Sequence, residues 1–234
     1  MDNKPVMVIT GTRTGIGKHL AEYYVQNGFQ VIGCSRGNID FELDNYKHYY
    51  LDISDESSIK NIFNKIRKKY CRLDVLINNA GIATKNYVLL SSLKEVKDSL
   101  NTNFIGTFMC CRESVKLMNI NKYGRIINIS SIHVPLAIEG TSIYGASKAA
   151  IEQFSKVLAR EAFQYGITVN TISLSVVKDT GMESSLTNQT KQNILDQTIS
   201  KSILSISDVI YAINFFISEK STMVTNQILS IGGV

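Results

Sequence analysis

Residues 6–20 read VMVITGTRTGIGKHL: a short β-branched run, a turn with three glycines and the start of a helical pattern. Glycines allow a tight turn and let backbone N–H groups approach a pyrophosphate, and the following helix N-terminus adds partial positive charge. The spacing is Gly-x-x-x-Gly-x-Gly, at Gly11, Gly15 and Gly17, and three glycines alone also fit an ordinary tight turn. Because this turn joins the first predicted strand to the first predicted helix, we favour a dinucleotide-phosphate site.

Short apolar runs alternate with helical patterns along the chain, which is typical of a parallel sheet wrapped by helices. The predicted fold class is α/β: a Rossmann-type, doubly wound, seven-stranded parallel sheet with helices on both faces. The predicted strands are Val6–Thr10, Gln30–Cys34, His48–Leu51, Val75–Asn78, Arg125–Ser130, Thr168–Ser173 and Gln227–Ile231. The main helical patterns cover Ile16–Asn27, Ser57–Tyr70, Leu93–Met118, Tyr144–Tyr165 and Ser207–Ser218.

Length and composition limit the organisation of the chain. With 234 residues and 44% hydrophobic content, residues 1–234 fit one compact domain. The segment 178–205 is polar and longer than an ordinary connection, so we interpret it as a substrate lid carrying one or two short helices. The net charge of +5 comes from Lys and Arg scattered along the sequence, which argues against nucleic-acid binding.

Four cysteines are present and none forms a Cys-x-x-Cys pair. The neighbours Cys110 and Cys111 would project in different directions from a helix, so buried reduced thiols are favoured over a disulfide. The apolar run before Gly11 is too short for a signal-peptide core, and no run approaches the roughly 20 residues of a membrane span. We therefore expect a cytoplasmic protein that binds neither membrane nor metal.

A second motif is Tyr144-x-x-x-Lys148, which opens a long apolar-periodic pattern. Residues four apart share a helix face, so the ammonium can lie near the phenol. A free phenol has a pKa of about 10, and a neighbouring cation favours the phenolate, which suits proton exchange with a carbonyl or alcohol oxygen. Alone, this spacing is common and equally fits an exposed helix pair.

The two motifs resemble those of the short-chain dehydrogenase/reductase family, in its single-domain branch. Further matches are Asn-Asn-Ala-Gly at 78–81, Ser131 thirteen residues before Tyr144, and the closing Gly232-Gly233. The resemblance extends over residues 8–233 and is similar in plan to the beta-ketoacyl-carrier-protein reductases. It implies an NAD(P)-binding Rossmann domain that carries out hydride transfer as a homotetramer or homodimer. The implied substrate is a small carbonyl or alcohol, either free or bound to a carrier protein.

The resemblance also implies roles for individual residues. Tyr144 would be the general acid/base and Ser131 would hydrogen-bond the substrate oxygen, with Ser130 as a less well spaced alternative. Lys148 would bind the nicotinamide ribose. Asn103 would hold a water that links to Lys148, and a structural role at a helix kink is compatible with this. The residues implied at the cofactor are Gly11, Thr12, Arg13, Thr14, Gly15, Ile16, Gly17, Ser35, Arg36, Asp52, Ile53, Asn79, Ala80, Gly81, Tyr144, Lys148, Val177 and Thr180.

The end of the second predicted strand bears on cofactor choice. NAD-binding members of this fold place an acid there for the ribose 2′-hydroxyl, whereas this chain has Ser35 and Arg36. An arginine pairs with a 2′-phosphate through charge-assisted hydrogen bonds, and Arg13 offers a second cation. NADP(H) is therefore favoured over NAD(H), although Arg36 alone would also fit a solvated loop.

The substrate side departs from the family at Leu174-Ser175, where relatives usually carry Pro-Gly. This leaves open the loop geometry over the nicotinamide and the contact of Thr180. His133 and Met182 are the candidate pocket residues, and a purely structural histidine is the alternative for the first. The altered loop motivates a second hypothesis, a cofactor-binding scaffold or redox sensor with little turnover.

Overall fold

The computed structural model describes residues 4–234, and the first three residues of the predicted domain lie outside this range. Within this range seven parallel strands form one sheet in the order β3-β2-β1-β4-β5-β6-β7. The strands are β1 Val6–Thr10, β2 Gln30–Ser35, β3 Tyr46–Tyr50, β4 Val75–Asn78, β5 Gly124–Ser131, β6 Ile167–Leu174 and β7 Ile228–Ile231. The order reverses between β1 and β4, where a ligand crevice forms in doubly wound folds.

Helices cover both faces of the sheet, as expected for parallel strands. They are α1 Gly15–Gln26, α2 Glu56–Tyr70, α3 Leu93–Ser99, α4 Gly106–Asn121, α5 His133–Leu136, α6 Ser142–Ala162, α7 Gly181–Ser184, α8 Asn188–Leu195 and α9 Ile206–Ile217. Alternate residues of β1 enter opposite cores: Val8 packs with α2, α4 and α6, whereas Ile9 packs with α1 and α9. The predicted Rossmann-type α/β class is confirmed.

The helical pattern predicted over Leu93–Met118 is not one helix. A π turn, Leu100–Ile105, separates α3 from α4. At its centre the side chain of Asn103 bonds outside the helix, with the backbone of Ile82 and with Ser147, and this accompanies a wider local winding of the chain. Periodicity alone could not show this interruption, because the apolar spacing continues through it.

The edge strands also differ from prediction. Strand β3 begins at Tyr46 rather than His48, because Tyr46 pairs with Val31 of β2. The sequence predicted strands buried on both faces, but β3 and β7 are partly exposed. Each has a neighbouring strand on only one side, which leaves part of its surface to solvent.

The segment 178–205 carries two short helices, α7 and α8, as predicted. Its two ends lie together, because Lys178 N donates to Leu204 O at 2.9 Å and Leu204 N donates to Val176 O at 2.8 Å. The segment is therefore a closed excursion from the carboxyl edge of the sheet. Among the helices of residues 4–234, none combines the length and apolar character needed to cross a bilayer.

A buried polar network connects two central strands to α6. Asn78 Nδ2 donates to Asn128 Oδ1 at 2.8 Å, and Asn128 Nδ2 donates to Ser155 Oγ at 2.8 Å. All three residues are buried. Because buried polar groups are costly without partners, this network holds α6 in one position along β5.

Replacing Asn128 with Ala should lower the free energy of unfolding by about 2–4 kcal/mol, since it leaves Asn78 and Ser155 buried with fewer partners. Urea unfolding measures this change. Asn61→Ala, on the exposed face of α2, should stay within about 0.5 kcal/mol of wild type. Equal stability of the two variants would show that the network does not stabilise the fold.

Candidate active site

The carboxyl ends of β1, β2 and β4 border a cleft of about 350 Å³. The glycine turn forms one wall, and Asp52 and Ile53 follow β3 on another. The segment 79–81 after β4 and Thr180 at the start of α7 complete it. Most of the predicted cofactor residues therefore share one cleft, as expected where parallel strands end at one edge.

The glycine turn has the close backbone approach that a pyrophosphate site requires. Gly11 has a φ of +76°, and a Cβ there would lie 2.9 Å from Ala80 Cα. A Cβ on Gly17 would lie 2.2 Å from Gly11 O, so neither position accepts a side chain. Asn79 Nδ2 donates to Thr10 O at 2.9 Å and ties the turn to β4. These residues fit a dinucleotide at the start of α1.

Two turn residues do not line the cleft as predicted. Thr12 is buried, and its Oγ1 accepts a hydrogen bond from the Tyr46 hydroxyl at 2.8 Å, so its side chain points across Gly33 of β2 towards β3. Gly17 is also buried, behind the turn against Gly11. Both shape the turn from behind, whereas the segment 13–16 faces the cleft.

The end of β2 presents the predicted cationic group. Arg36 and Arg13 are both exposed and both line the cleft. Arg13 lies over Gly37, where an added Cβ would come within 2.7 Å of Nη1. Ser35 lines the same wall, and its hydroxyl donates to Gly37 O at 2.8 Å. The two guanidinium groups can therefore reach an anion beside Ser35.

The residues predicted to carry chemistry meet in a second cavity of about 230 Å³ beside the cleft. Ser131 ends β5, and Tyr144 and Lys148 lie on the first turns of α6. Asn79, Thr180 and other residues line both cavities, so the two are continuous. The predicted alternative, Ser130, instead donates to Glu152 Oε1 at 2.6 Å. Both serines line the cavity, but the Ser130 hydroxyl is bound to Glu152, whereas the Ser131 hydroxyl lies beside His133 and Tyr144.

Lys148 is held in a desolvated position. Its Nζ donates to Ile129 O at 2.8 Å and lies 5.8 Å from the centre of the Tyr144 ring. Burial lowers the pKa of Lys148 to about 8. Burial also raises the pKa of Tyr144 above its ordinary value, and the hydrogen bond from Ser131 opposes this only in part. Lowering of the phenol pKa by Lys148 is thus not the dominant effect in the cofactor-free pocket.

Asn103 lies outside both cavities but supports the site from behind. Its Oδ1 accepts from Ile82 N at 2.8 Å, and its Nδ2 donates to Ile82 O and to Ser147 Oγ at 2.9 Å each. The side chain therefore joins the loop after β4 to the helix that carries Tyr144 and Lys148. The structural role considered for this residue is present, and the water relay remains a prediction.

His133 adjoins both catalytic candidates. Its Nδ1 lies 2.8 Å from Ser131 Oγ, and its ring meets Tyr144 edge-on with centroids 5.4 Å apart. Burial, followed by the charge of Lys85, lowers the pKa of His133 to about 4. The imidazole is therefore neutral at ordinary pH, and in the tautomer with Nδ1 protonated it donates to Ser131 Oγ, which leaves the Ser131 proton free for the pocket.

Two pocket residues were not predicted. Thr84 and Ser175 line the cavity, and their hydroxyl oxygens are buried without a partner among the described residues. Met182, which was predicted, lines both cavities. Because Thr84 and Ser175 belong to irregular segments, no periodic signal marked them in the sequence.

Replacing Lys148 with Met should raise the free energy of unfolding of the cofactor-free protein at pH 7, by up to about 3 kcal/mol, because no buried charge must be desolvated. In wild type, folded Lys148 loses its proton above about pH 8, whereas Lys148 in the unfolded chain keeps it up to about pH 10.4. The free energy of unfolding should therefore rise with pH between these two values. Urea unfolding across this range should show that rise reduced in the variant. Lys156→Met, exposed on the same helix, serves as control; parallel pH curves for wild type and Lys148→Met would contradict the assignment.

Comparison with known proteins agrees with this geometry. The family model for short chain dehydrogenases matches residues 5–191. The 3-oxoacyl-[acyl-carrier-protein] reductase FabG of Escherichia coli K12 is 30% identical over 234 residues, which cover 97% of this chain and 96% of that protein. The corresponding reductase of Buchnera aphidicola is 32% identical, covering 98% and 96%.

Solved structures show the same similarity. ElxO with NADP bound has a TM-score of 0.89 and 30% identity, covering 97% of both chains. A short chain dehydrogenase from Leptospira borgpetersenii with bound NAD+ has a TM-score of 0.88 and 26% identity, covering 98% of this chain and 92% of that one. Sequence, fold and site agree, and the chain belongs to the short-chain dehydrogenase/reductase family of NAD(P)-dependent oxidoreductases that act on carbonyl and alcohol groups.

Proposed function

We propose that the protein is an NADP(H)-dependent oxidoreductase that interconverts a carbonyl and a secondary alcohol, with Tyr144 as general acid/base. The observation that carries this proposal is the convergence of Ser131, Tyr144 and Lys148 in one cavity that adjoins the cleft at the glycine turn.

The bound cofactor supplies the hydride and, when oxidised, a positive charge beside the phenol. Tyr144 gives a proton to the carbonyl oxygen during reduction or takes one from the alcohol during oxidation. Ser131 donates a hydrogen bond to the same oxygen and stabilises its developing charge. Lys148 binds the nicotinamide ribose, and a charged ammonium near the phenol would favour the phenolate of Tyr144 against the effect of burial. Asn103 positions α6 and holds a water that carries protons to Lys148.

The cofactor spans the two cavities in this proposal. The pyrophosphate binds at the glycine turn, and Asp52 accepts from the adenine amino group with Ile53 beside it. The segment 79–81 contacts the ribose, while Val177 and Thr180 lie at the nicotinamide. Thr180 Oγ1 also donates to Val177 O at 2.9 Å, which holds the altered loop in one conformation.

NADP(H) is preferred to NAD(H) for two reasons. The wall after β2 has no acid that could bind a 2′-hydroxyl, and the arginines Arg36 after β2 and Arg13 in the glycine turn can bind a 2′-phosphate. The NADP of the similar ElxO structure supports this choice, whereas the Leptospira neighbour holds NAD+. The charges of Arg13 and Arg36 therefore carry the preference in this chain.

The substrate is a carbonyl compound with an apolar body. The cavity wall is mostly aliphatic, with His133 near the reacting oxygen and Met182 at the opening. The unpartnered hydroxyls of Thr84 and Ser175 can bind a second polar group of the substrate. The segment 178–205 acts as the lid, and the names of the reductase relatives suggest a carrier-bound acyl group that enters beside it.

Assembly and location follow from the surface and the cysteines. Large apolar side chains are partly exposed at Phe108 on α4, at Val157 on α6, and at Phe163, which directly follows α6. They give these helices an apolar outer face. We propose that this face forms a homodimer or homotetramer interface. All four cysteines are free, in agreement with a cytoplasmic location.

The scaffold hypothesis is less favoured. The altered Leu174-Ser175 loop leaves Tyr144 and Lys148 in the cavity, with Ser131 beside Tyr144. A scaffold would bind NADPH tightly and show no turnover with a panel of simple ketones and 3-oxoacyl thioesters.

Replacing Tyr144 with Phe should reduce turnover by about 10²- to 10⁴-fold, because the ring is kept and the transferable proton is lost. The loss is measured as the rate of NADPH oxidation with the best substrate of that panel, followed by the absorbance of reduced nicotinamide at roughly 340 nm. The Kd for NADPH should change less than about threefold. The control Tyr70→Phe, at the end of α2, should keep wild-type turnover; retained turnover in Tyr144→Phe would remove Tyr144 from the mechanism.

Replacing Arg36 with Asp should reverse the preference, lowering the ratio of kcat/KM for NADPH over NADH by about 10- to 100-fold. The carboxylate repels the 2′-phosphate and can bind the 2′-hydroxyl. Arg67→Asp makes the same charge change on α2 and should leave the ratio unaltered. An unchanged ratio in Arg36→Asp would exclude Arg36 from 2′-phosphate recognition.

A further inference from the structure

A continuous path of side-chain hydrogen bonds runs behind the wall that carries Ser35. The Tyr46 hydroxyl donates to Thr12 Oγ1 at 2.8 Å and lies 2.8 Å from His48 Nδ1. His48 Nε2 lies 3.0 Å from Ser35 Oγ, and Ser35 donates to Gly37 O at 2.8 Å. Tyr46 and His48 have no part in the proposed hydride transfer, so this path requires a separate explanation.

Gly33 makes the path possible. It lies opposite His48 in the β2–β3 pairing. A Cβ at this position would fall 2.1 Å from the Tyr46 hydroxyl oxygen and 2.4 Å from Thr12 Oγ1. Any larger residue would displace the phenol and break the contact with Thr12. The absence of a side chain in β2 therefore lets Tyr46 cross beneath the strand and orient the imidazole of His48.

Proton directions along this path depend on His48. If Nε2 carries a proton, it donates to Ser35 Oγ, and the Ser35 proton must point away from the ring. That proton now reaches Gly37 O, and an anion in the cleft above Ser35 can accept it instead. If Nε2 is unprotonated, Ser35 donates to the ring and presents only lone pairs to the cleft. The neutral ring of the cofactor-free protein allows one of the two donations at a time: from Tyr46 to Thr12 when Nδ1 is protonated, or from Ser35 to Gly37 when Nε2 is protonated. Both hold together only when the ring carries both protons.

We propose that His48 is a positioning residue for the 2′-phosphate of NADP(H): acting through Ser35, it raises the selectivity of the cleft for NADPH over NADH. This inference rests on the proposed NADP(H) preference. When the phosphate binds, Ser35 donates to it, His48 Nε2 donates to Ser35, and His48 takes up one solvent proton at the ring. The net charge added beside the phosphate complements the guanidinium groups of Arg13 and Arg36.

The surroundings of His48 agree with proton uptake on binding. Burial lowers the pKa of His48 in the cofactor-free protein, and a backbone hydrogen bond with Gly37 opposes this in part. The ring is therefore mostly neutral until an anion arrives. Among the ionisable groups around His48, Tyr46 on β3 contacts the ring directly, and Cys34 lies on β2. The cations nearby are Arg13 in the glycine turn, Arg36 after β2, and Lys65 on α2 against Tyr49. The Lys18–Asp40 ion pair lies beyond Phe41.

The test compares the Kd values of NADPH and NADH by fluorescence titration. His48→Phe keeps an aromatic ring and removes both nitrogens, so the Kd for NADPH should rise about three- to tenfold while that for NADH stays within about twofold. Tyr46→Phe, which is nearly isosteric, should give a smaller loss of the same kind. His19→Phe, on α1, is the matched control and should change neither value. An equal rise for both cofactors would mean that His48 only packs the strand, and would overturn the proposal.

A double-mutant cycle tests the route through Ser35. In a Ser35→Ala background, His48→Phe should add less than about twofold to the Kd for NADPH. If the two substitutions instead raise the Kd for NADPH independently, by factors that multiply, the route from His48 through Ser35 is overturned. The effect of His48→Phe on NADPH binding should also be larger near pH 6.5 than near pH 8.5, while the titration of the phosphate itself, with a pKa of about 6, is common to both proteins. If the ratio of the Kd for NADPH of His48→Phe to that of wild type does not change with pH, proton uptake by His48 is overturned.

The outcomes separate the two proposals. If wild type binds NADH as tightly as NADPH at every pH, the proposed cofactor preference fails. If wild type prefers NADPH and His48→Phe keeps the whole preference, only the role of His48 fails.

Discussion

The site depends on the bonds that Asn103 makes at the centre of a π turn. One amide binds the backbone of Ile82 after β4 and the hydroxyl of Ser147 in α6. The chain between α3 and α4 is wound more widely than an α-helix at the point where this amide makes its bonds. The floor of the cofactor cleft and the helix that carries Tyr144 are thereby fixed relative to each other.

That rigidity supports a site that is electrostatically unfavourable without its ligand. Burial raises the pKa of Tyr144 and lowers that of Lys148, so both groups are disfavoured in their charged forms. In the proposed function, a bound dinucleotide would bring negative phosphates to the glycine turn and, when oxidised, a positive ring to the phenol. Its binding would therefore offset the cost of burying these groups in their charged forms. The buried asparagine network behind β5 keeps this geometry while the charges change.

Much of the fold was predictable from local pattern. The β-branched runs marked all seven strands of residues 4–234 to within about two residues, and the polar character of 178–205 marked a segment with two short helices. The family motifs predicted that Ser131, Tyr144 and Lys148 act together, and in the structure the three line one cavity. Local pattern failed at the π turn and at the start of β3, because a tertiary hydrogen bond or a neighbouring strand sets each of these.

The boundary between the two sources of information has a physical basis. Glycine spacing, strand periodicity and the residue after β2 are properties of neighbouring positions, so the chain alone determined the sheet class, the glycine turn and the positive charge at the end of β2. Contacts between distant positions were decided by packing. Thr12 turns away from the cleft towards Tyr46, and His48 lies behind Ser35. Asn103 joins the loop after β4 to α6. Side-chain direction depends on which strands become neighbours, and that exists only in the folded molecule.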